Sequence, residues 1–394
     1  MAATRKSRSA LSVSVPPPAP GGERAFIARL RAEAEAHRGR HAGLRLGIGD
    51  DCAILRPPAG HDVVVTTDFS LEQVHFRRDW HPPESVGHRC LARGLSDLAA
   101  MGATPLGAFL SIALPPELAV AAAETMPKAA RRKASGARAA SLPGSLKPES
   151  WFDRFLAGFL ALAEKEHVPL AGGDTAQSPS FDFSGHKQSG LAAADITLVG
   201  AVPRGHALLR SAARPGDVIY VTGALGGSAA ELLALGRSPQ DFAARTLAAA
   251  HHPHLYPQPR LAAARRLVAG RRLHAGIDLS DGLSTDLAHI CEESGVAAEL
   301  DTSAIPIHKL ARDAQQDGWV PSALSLALHG GEDYELLFTA PRWTKIPRTI
   351  AGVSLHPIGE IVKPRRNRPS VILRESDGSQ TPLDSGGWEH FRGD

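Results

Sequence analysis

Acidic residues in this sequence gather in short turns beside glycine, serine or threonine. Asp50 and Asp51 follow a Gly-x-Gly turn in LGIGDDCAIL, Asp68 closes TTD, and Asp97 lies in LSDLAAMGA. Asp174 lies in AGGDT, Asp278 and Asp281 in IDLSDG, and Glu332 with Asp333 in GGEDYE. Singly, each is explained by capping, because Asp favours helix N-caps and turns without any function. Together they pose an electrostatic problem. Carboxylates brought into one cleft repel each other, raise their own pKa values and cost stability unless a divalent cation neutralises them. Hard oxygen ligands without nearby cysteine select magnesium or calcium over zinc. Magnesium keeps waters and bridges carboxylates to phosphate, which makes a nucleotide the natural partner.

No Gly-x-x-x-x-Gly-Lys-[Ser/Thr] segment is present, so a P-loop is excluded. GIGDDC is not a dinucleotide fingerprint, and GALGGSA (Gly223 to Ala229) matches one only weakly. A triphosphate must then be gripped by ions on carboxylates, with help from glycine-rich backbone and an arginine. Arg210, in LLRSAARPGD, offers a planar fork for two phosphate oxygens; the competing reading is a surface arginine in a linker.

These turns need a scaffold. DVVVTTDF (Asp62 to Phe69) and DITLVGAV (Asp195 to Val202) are β-branched, bounded by turn residues, and read as strands. Pro83 to Ala103 has helical spacing at Val86, Cys90, Leu91, Leu95 and Leu98, with a stop at Gly102, and PLGAFLSIALP returns as a strand. WFDRFLAGFLALAEKEH is a further helix leading into VPLAGGDT, a short strand that ends in a Gly-Gly-Asp turn. Near Arg204 the pattern restarts with a turn, a strand (Asp217 to Thr222), a Gly-rich turn and a helix. AGIDLSDGLSTDLAHICEESG is a short strand breaking into a helix near Asp281. ALHGGEDYELLFTAP is a Gly-Gly turn feeding a strand with Tyr334 and Phe338 in the core. The expected fold is α+β or mixed α/β. Its expected parts are a basic tail (1–25), an N-terminal domain (26–203) with a basic low-complexity insert at 126–150, and a C-terminal domain (204–394).

At 394 residues and 43% hydrophobic content, the chain can bury two ordinary cores. The formal net charge of +3 is unevenly spread: residues 1–45 and 126–148 hold +12 between them, leaving the remainder acidic. Those basic stretches contain almost no aromatics for base stacking, so nucleic acid is not an expected partner. No apolar run reaches the roughly 18 residues of a membrane span, and the opening segment lacks a cleavage site. Cys52, Cys90 and Cys291 are scattered, which argues against disulfides or structural zinc and fits a reducing cytoplasm. HHPHLYPQPR (His251 to Arg260), interrupted by proline, reads as a structured turn rather than a metal site.

In order and approximate spacing, LGIGDDCAIL, TTDFSLEQVHF, LARGLSDLAAMGATP, AGGDT, LLRSAARPGDVIYVTGALGGSAA, IDLSDGLSTDLAHI and LHGGEDYELLFT resemble the thiamine-monophosphate kinase family. The resemblance runs from about Leu44 to Phe391. It reaches more broadly to a group of ATP-using synthetases that includes aminoimidazole ribonucleotide synthetase, selenophosphate synthetase and a hydrogenase maturation protein. It implies an N-terminal β-sheet domain that pairs into a barrel in a homodimer, and a C-terminal α/β domain. The implied reaction passes the γ-phosphoryl group of ATP to thiamine monophosphate, with magnesium. By the same resemblance Asp51, Asp68, Asp97, Asp174, Asp278 and Asp281 are magnesium ligands, joined by Asp50 and by an oxygen of Thr66 or Thr67. Gly173, Asp174, Arg210 and Ser280 match contacts to the ATP phosphates, and Asp281, Asp174 and Arg210 carry the catalytic roles. His75, Glu332 and Trp388 match contacts to thiamine monophosphate. For Trp388, stacking on a cationic thiazolium is physically apt; for His75, a hydrogen-bonded turn histidine is the plainer alternative. The insert at 126–150 and the long FSGHKQSG loop depart from the family pattern, so the adenine contacts stay unassigned.

Transfer should be direct and in line, because no nucleophile stands beside a base in these motifs and the acceptor is already an anion. The rival readings are a synthetase of the same group with another acceptor, or a silent nucleotide-binding homologue. A selenide enzyme would show a reactive cysteine near the N-terminus, and the scattered cysteines give no such sign.

Overall fold

The structure, a computed structural model, describes residues 23–37, 43–119, 150–179, 181–183, 186–239, 252–270, 272–366, 368 and 370–387. Residues 1–22 of the basic tail, most of the basic insert, His251 and Trp388 lie outside them. The first helix, α1, spans Glu23–Ala36.

In the N-terminal half, β1 (Leu44–Leu46) and β2 (Ile54–Leu55) form a small ribbon. The sheet that follows is built from β3 (His61–Leu71), β4 (Thr104–Leu114), β5 (Leu170–Gln177) and a later strand, Ala193–Pro203. A hairpin of β6 (Phe181–Phe183) and β7 (His186–Gln188) fills the long loop, which makes the later strand β8. The order is β3-β8-β4-β5, antiparallel except for the parallel β4/β5 edge. Here AGGDT departs from expectation, because the strand runs through Gly173 and Asp174 rather than turning there. Gly173 has φ +149°, and a Cβ on it would lie 1.8 Å from the Leu110 carbonyl, so only glycine lets β5 lie against β4 at this point.

Helix α2 (Pro83–Ala100) packs on one face of this sheet. Its Val86, Cys90, Leu91, Leu95 and Leu98 are almost wholly buried, as the periodicity required. After a short α3 (Pro116–Ala119), α4 (Trp151–Lys165) is started by a Ser150/Asp153 capping box and buries Phe152, Phe155 and Phe159. Arg154 of α4 clasps Glu84 of α2 with Nε and Nη2 at 2.7 and 2.8 Å.

The C-terminal half adds β9 (Asp217–Thr222), β10 (Gly276–Asp278), β11 (Ala297–Asp301), β12 (Leu336–Pro341), β13 (Thr349–Ile350), β14 (Val353–Val362), β15 (Val371–Arg374) and β16 (Gln380–Pro382). They pair in the order β10-β12-β9-β14-β11-β15-β16, with β13 on β14. Its helices are α5 (Gly227–Arg237), α6 (Leu261–Val268), α7 (Leu283–Ser294), α8 (Lys309–Gln316) and α9 (Ala323–His329). Tyr334, expected in strand, stands before β12 with φ +50°, although its side chain is buried. The halves share a core: Leu261 and Ala264 of α6 and Leu336 of β12 join the cluster around α2 and α4. Among the described residues no helix is long and apolar enough to cross a membrane.

Candidate active site

Charged residues interrupt the apolar surface of α2 along a single face. Arg89, Arg93 and Asp97 are spaced four apart, so they stack as successive rungs of the helix. On β3, Thr66 and Asp68 alternate onto the face that α2 covers, and the Thr66 hydroxyl donates to Asp97 Oδ2. Arg93 Nη2 lies 3.5 Å from Asp68 Oδ1. From the other half, β10 ends in Asp278, which is 3% exposed and accepts a 2.7 Å hydrogen bond from the Ser96 hydroxyl. Helix α2 thus carries both the acid and the hydroxyl that meet the second half.

The electrostatics are those of uncompensated negative charge. Burial, then the Asp97 carboxylate, pushes the Asp68 pKa up to about 6. Burial and Asp97 push Asp278 up to about 7, against the hydrogen bond from Ser96. Asp97 is also raised, chiefly by burial, with Thr66, Arg210 and Arg93 opposing. Asp286 is held well above the usual carboxylate range by burial, then by Asp278 and Asp281. From the first turn of α7 it accepts from the Asp281 and Gly282 amides at 3.2 and 3.0 Å. Among the described residues no three His, Cys, Asp or Glu side chains close into a ready metal cage. Hard oxygens carrying excess charge in an open arrangement fit magnesium, which keeps waters and completes its shell with phosphate.

Not every acid joins this group. Asp174 is in register with Ser111, Ser111 with Asp195, and Asp195 with Phe69. By strand alternation that row and Thr67 lie on the sheet face opposite Thr66 and Asp68, and Asp174 and Thr67 are exposed. Asp50 and Asp51 are exposed too, with the Asp51 amide donating to Asp50 Oδ1 at 2.9 Å. Their turn runs beside β5, where a Cβ on Gly47 would stand 3.7 Å from the Ala171 carbonyl. The acids therefore form two sets, one under α2 and one along β5, rather than the single convergence expected.

Arg210 is exposed on a 3-10 turn whose carbonyl accepts from Ser294 Oγ at 2.7 Å, and its charge reaches Asp97. The Ser280 carbonyl accepts from the Glu332 amide at 2.7 Å and so ties the IDLSDG turn to GGEDYE. In that second turn Glu332 and Tyr334 both take positive φ, +54° and +50°, which is costly for side chains of this kind. The turn is stapled in place by Asp333, which accepts from the Gly226 and Ser228 amides at 2.6 and 3.1 Å. Glu332 itself pairs with Arg89 at 2.7 Å and lies 3.4 Å from His254 Nδ1. Burial opposes its ionisation, but Arg89, His254 and Arg93 overcome this and hold its pKa at about 2.

His75 accepts from the Leu71 amide at Nδ1, 3.0 Å, as a turn histidine does, while its carbonyl receives Arg89 Nη2 at 3.3 Å. The chain before Trp388 is strapped to the same region. The Gly386 and Gly387 amides donate to Ser284 Oγ and Thr285 Oγ1 at 3.3 and 3.2 Å. A Cβ on Gly387 would stand 2.0 Å from the Asp281 carbonyl, so the strap crosses that turn in direct contact.

Sequence reasoning passed over Arg89, Arg93, Asp286 and His254. The four-residue spacing of Arg89, Arg93 and Asp97 on an apolar helix was the available signal for the first pair. His254 gave none: the HHPHLYPQPR segment is a turn, but it delivers this buried imidazole to Glu332 and to His81, 3.0 Å away.

Residues 49–202 match the AIR synthase related protein N-terminal domain and residues 214–369 the corresponding C-terminal domain. The chain is 34% identical over 376 residues to a thiamine-monophosphate kinase of Escherichia coli (strain K12), covering 94% of this chain and 98% of that one. It superposes on the crystal structure of thiamine-monophosphate kinase from Stenotrophomonas maltophilia K279a with a TM-score of 0.64 and 32% identity, over 90% of this chain and 96% of that one. It also superposes on AaThiL complexed with AMPPCP and TMP, with a TM-score of 0.62 and 25% identity, over 94% and 97% of the two chains.

Proposed function

The chain belongs to the thiamine-monophosphate kinase family, and from that premise we propose that it transfers the γ-phosphoryl group of ATP to thiamine monophosphate, giving thiamine diphosphate and ADP. An oxygen of the acceptor phosphate attacks the γ-phosphorus as the bond to the β-phosphate oxygen breaks. The acceptor is already anionic, so the reaction needs no strong base; it needs two anions held together. Asp68, Asp97, Asp278, Asp281 and Thr66 would hold magnesium under α2, and Asp50, Asp51 and Asp174 would hold it along β5; Thr67, on β3 at the other edge of the sheet, joins neither set. Bound there, magnesium supplies charge neutralisation and stabilises the transferring group. Arg210 would bind the triphosphate, with backbone at Gly173 and Ser280 as further contacts. Ionised Glu332, with His75 and Trp388, would receive the cationic end of thiamine.

The observation that carries this reading is that Asp68 and Asp97 from one half and Asp278 from the other meet under α2, where burial and then the Asp97 carboxylate raise Asp68 and Asp278. Incubation with ATP and magnesium should give thiamine diphosphate and ADP in equal amounts with thiamine monophosphate. Equal turnover with an unrelated phosphate acceptor would favour another synthetase of the group, and no turnover at all a silent homologue.

The open face of the N-terminal sheet supports a homodimer. Val63, Val65 and Phe69 on β3 are 50, 61 and 56% exposed, a row of apolar side chains that a second copy would cover to close a barrel. Val65→Glu should give a monomer in sedimentation; an unchanged species would place the interface elsewhere. We place the domains at 26–203 and 204–394 and the protein in the cytoplasm.

A further inference from the structure

The Arg93 guanidinium stands between two acids with different proposed partners. Its Nη2 is 3.5 Å from Asp68 Oδ1 and its Nη1 4.0 Å from Glu332 Oε1. Charge-assisted hydrogen bonds normally run to about 2.7–2.9 Å, so neither acid is engaged at full strength. Its Nε is buried with no hydrogen-bond partner among the described residues. Arg89, one turn earlier on α2, shows the contrast: it donates to the His254 carbonyl at 2.5 Å, to Glu332 at 2.7 Å and to the His75 carbonyl at 3.3 Å. Arg89 is therefore the close partner of Glu332, and Arg93 adds to it only a charge at 4.0 Å. A guanidinium has five directed donors and does not shed its charge. With its side chain only 16% exposed, water has little access to fill them.

We propose that Arg93 grips the phosphate of thiamine monophosphate as a substrate-binding residue. One flank of the guanidinium faces Asp68, on the side where the acids would hold metal and ATP. The other faces Glu332, read above as the partner of the cationic end of thiamine. A phosphate seated on the planar fork lies between those two ends, where an acceptor oxygen has to be. The inference rests on the kinase reading and adds to it the residue that fixes the acceptor.

The test is steady-state kinetics of the full chain with Arg93→Gln and Arg93→Lys, varying each substrate in turn, with a thermal melt of each variant. R93Q should raise the KM for thiamine monophosphate about ten- to hundredfold, the loss of one or two charge-assisted bonds, and leave the KM for ATP unchanged. R93K, which keeps the charge and loses the fork, should fall between R93Q and wild type. A KM for thiamine monophosphate within about twofold of wild type in R93Q, or parallel rises in both KM values, would show Arg93 to be a counterion of Asp68 and Glu332 only. If R93Q does not fold, the same split is read from R93K. A wild-type chain that forms no thiamine diphosphate overturns the kinase reading itself; an active wild type beside an unaltered R93Q overturns only the role of Arg93.

Discussion

Arg89 and Glu332 join the two halves of the chain through one ion pair, Nη2 to Oε1 at 2.7 Å, with side chains 4 and 26% exposed. The pair holds a turn whose backbone is strained at Glu332 and Tyr334. Removing one partner leaves the other charge buried, so Arg89→Met should lower the unfolding free energy by about 3 kcal/mol in urea titrations. Arg89→Met with Glu332→Leu should recover part of that loss, because the double change leaves no orphan charge. If the double variant lost the sum of the single effects, the pair would not be coupled.

His88 makes the fold acid-sensitive. Burial, the first cause, brings its pKa down from the usual 6.5 to about 4, while its Nε2–H donates to the Pro257 carbonyl at 2.7 Å. The unfolded chain then binds the proton before the folded one does, so stability falls as pH drops from 6.5 towards 4. The contribution is about 3 kcal/mol at most. His81 and His254 shift the same way and add to the slope. Urea midpoints taken between pH 7.5 and 4.5 should fall for wild type and fall less for His88→Gln. Equal slopes would mean that His88 protonates in place.

The strap at Gly387 is a contact that a single methyl group breaks. Gly387→Ala puts a Cβ 2.0 Å from the Asp281 carbonyl, so the segment has to lift off the turn. With Trp388 displaced, kcat/KM for thiamine monophosphate should fall roughly tenfold, while the melting temperature moves little because the strap contributes only surface contacts. Unchanged kinetics would remove Trp388 from the substrate site.

Much of the scaffold was legible because periodic burial wrote it into the sequence. The strand Asp217–Thr222 was read to its ends, and α2 and α4 to within a few residues, since each alternates or repeats apolar residues against a single core. The end of VPLAGGDT reads as a turn although β5 runs through it, because its glycines serve close strand packing, which composition does not distinguish from bending. The acids are legible as residue types, but their division into a set under α2 and a set along β5 depends on strand register. Which face of β3 and β5 meets α2 is decided by pairing partners far along the chain. Arg93 and His254 escaped notice for a related reason: their significance lies in what they face across the two halves.

Asp278 is kept for chemistry at a cost to the fold. Its pKa is raised to about 7, first by burial and then by Asp97, so its favourable contribution is lost as pH rises through 7. The direct test is Asp278→Asn at pH 8, measured for urea stability in EDTA and for thiamine diphosphate formation with magnesium. The variant should be more stable than wild type by about 2 kcal/mol, with turnover reduced at least about a hundredfold. A variant that is less stable in EDTA yet turns over like wild type would contradict it.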